Sequence, residues 1–263
     1  MKTITTLILL FLFSIAIINT TNASQPVGSV FVYKADLNQP YFLLQKGKKN
    51  ETNTLVLDKT YFLDKESLEI SSVINDTILC FPNELFIKIK PSSEFRIDNI
   101  YYNVSQPTSN LKRVRLQTND FSINLALLKG EAYFECPSVN ENSQCTLQTS
   151  IVNLGLLRGS FLVRVESGSV LVYVVRGSIN VYDNITDKFE TIKEGNVVIV
   201  FQAPDVEKGA EKLQRGIDSI ATVVKKITPN YMSSLMEEIK ELDSTKNNVI
   251  FVSIDGKYFG IKL

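Results

Sequence analysis

Gly159-Ser160-Phe161-Leu162-Val163-Arg164-Val165, Gly168-Ser169-Val170-Leu171-Val172-Tyr173-Val174 and Gly177-Ser178-Ile179-Asn180-Val181-Tyr182-Asp183 are three copies of one pattern, nine residues apart. A weaker echo, Gly28-Ser29-Val30-Phe31-Val32-Tyr33, lies nearer the N-terminus. Side chains alternate along a strand, so each copy has one aliphatic face. Glycine supplies the positive φ of a tight hairpin. With Ser167-Gly168 as the turn, Val165 faces Val170, Val163 faces Val172 and Phe161 faces Val174. A second turn at Arg176-Gly177 would pair Val174 with Ile179 and Val172 with Val181, and set Leu171 opposite Tyr182. A one-residue slip would turn every valine outward, so the register is strongly specified. The pattern predicts an antiparallel meander. Calcium-binding rolls share the nine-residue period but need glycine- and aspartate-rich turns, which are missing here.

Working outward, short β-branched or aromatic runs with polar breaks fill residues 28 to 203. Examples are Tyr41 to Leu44, Leu85 to Lys90 ahead of Pro91-Ser92-Ser93, Ser122 to Leu128, Ala132 to Cys136 and Val197 to Phe201. After Ala203-Pro204 the composition changes. Leu213, Ile217, Ile220, Val224 and Ile227 follow at helical spacing, and Thr228-Pro229 ends that run. Met232, Leu235, Met236, Ile239 and Leu242 mark a second amphipathic helix. Asp255-Gly256 between two apolar runs predicts a terminal hairpin. The expected fold is mainly β: an antiparallel meander in a two-layer or solenoid-like domain over 24–203, then a helix-helix-hairpin segment over 204–263.

The first 23 residues have the form of a signal peptide, with Lys2 before the apolar stretch Leu7 to Ile18 and small residues near Ala23. The apolar run falls short of the ~20 residues that span a bilayer. An uncleaved anchor is the competing reading. The expected product is exported, periplasmic or extracellular, without a stable membrane span after cleavage. The 28 basic and 28 acidic residues balance, which gives no argument for nucleic acid as partner. Of the three cysteines, Cys136 and Cys145 flank a polar stretch that reads as a hairpin loop. Either a disulfide across its mouth or two free thiols fits. Cys80, within an apolar run, reads as a core residue.

The chain contains no histidine. That removes Ser-His and Cys-His catalysis and the commonest catalytic metal ligands. No phosphate-binding loop is present. Carboxylate pairs such as Asp64 with Glu66 and Glu237 with Glu238 combine with no further groups, although a paired-carboxylate glycosidase needs no histidine. The reading is therefore a non-enzymatic protein with no cofactor and no metal. The candidate binding face is Leu171, Tyr173 and Tyr182 on the second side of the meander. The competing reading is that this side packs against earlier strands.

Three stretches, in order, resemble the FecR-type domain, a periplasmic sensor module of bacterial cell-surface signalling. They are Ile87 to Ile97 with its Pro91-Ser92-Ser93 turn, Leu125 to Phe134 around Gly130-Glu131, and Leu157-Arg158-Gly159-Ser160-Phe161, with Ser160 where the family has threonine. Val170 to Val181 and Glu194-Gly195 extend the likeness, which covers about 55–201. Signalling members carry a cytoplasmic head before a membrane helix, where this chain has a signal peptide. The resemblance implies an exported all-β domain that binds an unknown protein or envelope polymer, with a role in envelope signalling. A structural role in surface assembly, with the terminal hairpin adding a strand to a neighbour, is the alternative.

Overall fold

A computed structural model describes residues 28–45, 48–49, 53–64, 66–71, 73–102, 120–139, 141–183, 188–202, 220–254 and 257–263. The expected signal peptide lies outside the described residues, as do residues 203–219. In chain order the strands begin with β1 (Gly28–Lys34), β2 (Pro40–Gln45), the short β3 (Lys48–Lys49) and β4 (Asn53–Thr54), β5 (Lys59–Leu63), β6 (Ser67–Ile70) and β7 (Thr77–Cys80). They continue with β8 (Phe86–Ile89), β9 (Glu94–Tyr102), β10 (Phe121–Cys136), β11 (Gln144–Gln148), β12 (Asn153–Glu166) and β13 (Ser169–Asp183). After β14 (Lys188–Lys193), β15 (Asn196–Gln202) and β16 (Ile220–Lys226) come helix α1 (Pro229–Asn248) and the hairpin β17 (Val249–Ile254) and β18 (Lys257–Lys262). The class is the expected one, mainly β with a small C-terminal helix.

The turn at Ser167-Gly168 is present, and Gly168 has φ +77. Phe161 pairs with Val174, Val163 with Val172 and Val165 with Val170, as the valine arithmetic requires. All six are buried. The second expected turn is not there, because β13 runs straight through Arg176-Gly177. Gly177 instead sits opposite Gly159 in β12. Their φ values are +79 and +144, and a Cβ on either would lie 2.0 Å from a carbonyl oxygen of the other strand, Arg158 O or Arg176 O. The two strands bend together there without separating. Ile179 consequently pairs with Leu156 and Ile192, and Val181 with Leu154 and Glu190.

The same bend crosses the next line of the sheet. β14 and β15 run in one direction alongside β13, interrupted only at Glu194-Gly195. Gly195 has φ +78, its N–H donates to Val174 O, and Glu194 N–H donates to Gly177 O. Gly159, Gly177 and Gly195 are therefore a row across three neighbouring lines, at twice the nine-residue period. On the other side, β8 and β9 together flank β10, interrupted at Pro91-Ser92-Ser93. Ser93 Oγ accepts from Glu131 N–H at 2.9 Å and donates to Glu131 O at 3.2 Å.

The kinks fold one sheet into two halves. The first half runs β16-β15-β13-β12-β10-β8-β7-β1-β5, and the second runs β14-β13-β12-β11-β10-β9-β6-β2. Strands β10, β12 and β13 pass from one half to the other, the standard way to turn a corner between packed β layers. Phe95 of the second half meets Phe134 of the first, ring centroids 6.4 Å apart, so the halves face each other across one core. Leu235, Ile239 and Leu242 of α1 and Phe251 and Tyr258 of the hairpin join that core. The hairpin is a separate two-stranded sheet that packs against the main one: Gly260 N–H donates to Thr60 Oγ1, and Tyr258 meets Tyr102 edge-on.

Two expectations need correction. The helical spacing that ran from Leu213 to Ile227 does not hold over its second part. Ile220–Lys226 is strand β16, paired antiparallel with β15 from Asn196↔Lys226 to Gln202↔Ile220. Its β-branched residues Ile220, Thr222, Val223 and Val224 suit a strand, where pairing outweighs a weak helical period. The segment between Cys136 and Cys145 is not a hairpin loop either. β11 runs parallel to the first part of β10, from Ser122↔Gln144 to Ala126↔Gln148, so the loop is a return crossover. Cys136 ends opposite Gly159 and Cys145 beside Ile123. All three cysteines are buried and unbridged. Burial pushes the Cys145 thiol up to about 12. Burial, with Cys145 and Glu135 nearby, raises Cys136 as well.

Two outcomes follow from this architecture. Gly195→Ala should lower stability by about 1–2 kcal/mol in urea denaturation, the strain of a left-handed alanine. Gly177→Ala adds the steric conflict with Arg158 O and should cost more; equal losses would refute the paired-strand bend. Alkylation should label no cysteine in the native protein and three in unreduced, unfolded protein, read by mass spectrometry. Label missing from Cys136 and Cys145 after unfolding would show a bridge.

Candidate functional site

The two half-sheets have outer faces of opposite character. α1 covers the first. Lys88 alternates with Ile87 and Ile89 in β8, so its side chain leaves the core on the helix side, yet it is only 3% exposed. Its ammonium lies 2.5 Å from Glu238 and 3.1 Å from Asp76, with Glu241 also in contact. Lys90 adds contacts to Asp76 and Glu238 at 3.2 and 3.3 Å. The carboxylates of Asp76, Glu238 and Glu241 approach within 4.8 Å of one another, close enough to ligate a metal. Here the Lys88 ammonium already stands among them as their cation.

Burial alone would lower the Lys88 pKa, but hydrogen bonds to Glu238, Glu241 and Asp76 outweigh it and hold the ammonium above its ordinary value. Burial alone would raise Glu241; hydrogen bonds from Lys34 and Lys88 outweigh that and hold it below the usual carboxylate range. Further along the helix, Arg164 bridges Glu131 at 2.6 Å and Tyr231 at 3.2 Å. Tyr173 stacks edge-on against Tyr231, centroids 5.1 Å apart.

At the C-terminal end of α1 lies a cleft of about 610 Å³, lined by Glu135, Ser160, Arg176, Gly177, Lys246 and Asn83 among others. Arg176 is its centre. It donates from Nε to Ser160 Oγ at 2.7 Å, and from Nη2 to Glu135 at 3.1 Å and to Asp243 at 3.0 Å. Ser160 in turn donates to Glu135. Burial raises the Glu135 pKa despite the Ser160 hydrogen bond and the Arg176 charge. A raised glutamate near an aspartate has the outline of an acid–nucleophile pair. The Arg176 guanidinium lies between the two carboxylates and donates to both. Ser160 is fully buried, and the arrangement ties α1 to the kink at Gly159 and Gly177.

The second half-sheet presents the other face. One row runs across six strands: Thr191, Asn180, Gly155, Thr146, Asn124 and Asn99. A parallel row begins Phe189, Tyr182, Asn153 and Gln148, and Tyr101 pairs with Ser122 on the far side. Phe189 is 61% exposed, Tyr182 40% and Tyr101 38%. Lys193 lies at one margin, and Arg96, Asp98 and Glu69 lie at the other. Among the described residues, no helix or strand packs over this face.

The three residues of the expected binding face are thus separated. Leu171 pairs with Arg164 and Ile199, on the helix-covered half. Tyr173 is capped by Tyr231. Tyr182 lies beyond the Gly177 bend, opposite Asn153 and Phe189, on the open half. The expected Leu171–Tyr182 pair depended on a turn at Arg176-Gly177 and fails with it. Asn180 shares this face with Tyr182, and Phe189, Thr146 and Asn124 join them from other strands; alternation within each strand marks them as outward, but identifies a common face only when the strand partners are known.

No protein-family model matches the chain, and no curated protein matches it. Two crystal structures of candidate anti-sigma factors from Parabacteroides distasonis ATCC 8503 are similar to it. One has 15% identity and a TM-score of 0.41, covering 65% of this chain and 64% of that one. The other has 11% identity and a TM-score of 0.35, covering 74% of this chain and 99% of that one. The chain thus spans less than two thirds of the first structure's length, and likeness at this level assigns no role.

The Lys88 cage predicts a definite pH response. The Glu241 contribution is present above its unfolded pKa of about 4.3 and is lost as pH falls through its lower native value. The Lys88 contribution is complete below about 10.4 and is lost as pH rises through its higher native value. The cage's own contribution should be flat from about pH 5 to 9; total stability should fall below about pH 4 and also decline above about 8.5, where the three buried thiols ionise only in the unfolded chain, read by tyrosine near-ultraviolet circular dichroism. Lys88→Met should cost about 2–4 kcal/mol, since it leaves partly buried carboxylates without their cation. Unchanged stability would show that α1 is held by its apolar residues alone.

Proposed function

We propose that the protein is a non-enzymatic binding module, exported and of FecR-like type, that takes a macromolecular partner of the cell envelope onto its open face. The observation that supports this reading is the contrast between the two half-sheets. One outer face is sealed by α1 through a buried lysine and two arginine networks. The other extends over six strands with three exposed aromatic side chains and no covering element among the described residues. A flat face of this extent suits an extended polymer or another protein better than a small substrate, which is held in concave sites. Absence of histidine, and a cleft whose carboxylates are bridged by Arg176, favour binding over catalysis.

The test is capture from solubilised envelope with immobilised protein. Asn180→Arg places a charge in the middle of the open face, and Lys240→Ala alters the exposed side of α1 as a control. Wild type and Lys240→Ala should retain the same partner, and Asn180→Arg should lose it. Equal capture by all three would overturn the open face as the binding surface.

A further inference from the structure

The chemistry of the open face narrows the partner, on the reading that this face is where binding occurs. Its middle is made of amides and hydroxyls, with aromatic side chains only toward the ends, and its charges stand at the margins. Protein interfaces have an apolar or aromatic centre, nucleic-acid surfaces are basic, and interfacial membrane surfaces are apolar with a basic rim. None of these describes a neutral amide row. We infer that the face binds a neutral polysaccharide.

The hydrogen-bonding supports this class. Thr146 Oγ1 donates to Asn124 Oδ1 at 2.7 Å, and Thr191 Oγ1 donates to Asn180 Oδ1 at 3.0 Å. The same threonine-to-asparagine bond therefore occurs twice in one row. Each bond fixes an amide through its oxygen and leaves the NH2 hydrogens to donate, while the threonine oxygen keeps acceptor capacity. Sugar hydroxyls both donate and accept, and a surface offering both from adjacent, pre-ordered groups matches them without a desolvated charge. Asn124 and Asn180 stand three strands apart, roughly 14 Å at the inter-strand spacing, and the whole row spans roughly 24 Å. That is the scale of an oligosaccharide, not of one sugar. Gly155 at the centre of the row has no side chain, and the Asn180 amide lies beside the space a Cβ would take, its Nδ2 3.8 Å away. Phe189 and Tyr182, cross-strand partners at one end, offer apolar ring surface for the C–H faces of sugar rings.

Affinity electrophoresis of the full chain through gels containing a neutral β-glucan, a mannan, a dextran or acidic polygalacturonate tests the inference. At least one neutral polymer should retard the wild type, with retardation unchanged in 0.5 M salt because no ion pairs are screened. Tyr182→Ala should weaken binding about tenfold, as loss of one aromatic contact does. Thr146→Val, which removes a hydroxyl at nearly constant volume, should weaken it without altering the urea midpoint. Retardation by polygalacturonate alone, or by none of the four polymers, overturns the neutral-glycan assignment. If envelope capture still fails with Asn180→Arg in that case, the open face binds a partner of another class. If capture is also indifferent to Asn180→Arg, both readings fall.

Discussion

The rest of this structure depends on a steric constraint between two glycines. Gly159 and Gly177 face each other in adjacent strands, and neither position has room for a Cβ because the other strand's carbonyl oxygen occupies that space. The backbone there takes positive φ, so the ribbon turns a corner while keeping its pairing on both sides. Gly195 continues the corner into the next line of the sheet, and the Ser93–Glu131 contact makes the corresponding break between β8 and β9. Without these kinks, the long strands β10, β12 and β13 would extend as a flat ribbon with an exposed apolar side. With them, one continuous sheet closes over its own valines and phenylalanines.

Folding the sheet creates two outer faces, and charge decides which is covered. The first carries Lys88, Arg164 and Arg176, each held by a carboxylate from α1 or from β10. These contacts set the position of a helix whose apolar contribution to the core is limited to a few residues. The second face carries asparagine, threonine, glutamine and serine, which give a helix neither an apolar seat nor an ionic anchor. Among the described residues, no helix or strand covers it.

Parts of this were legible in the residue order. The register of β12 with β13 follows from the valine alternation around Ser167-Gly168, and the terminal hairpin and α1 follow from equally local signals. The corner was not legible, because a Gly-Ser step at positive φ serves a tight turn and a bent strand equally well. Gly168 became a turn and Gly177 a bend, and the difference lies in what stands across the strand. Ile220–Lys226 carries spacing compatible with a helix, yet pairs with β15. The cysteine segment resembles a hairpin loop and is a parallel crossover. Tyr173 and Tyr182 share a position in the repeat and end on different halves, one stacked on Tyr231 and one exposed.

The class of fold, the inward faces of the strands and the absence of histidine chemistry can be read from residue order. Each of these rests on composition or on alternation over a few residues. Long-range contacts settle which glycine turns the chain and which bends it, which outer face α1 occupies, and which polar side chains form a common surface. Those outcomes depend on contacts between residues tens of positions apart, such as Lys88 with Glu238 or Asn124 with Thr146, whose pairing no local pattern encodes.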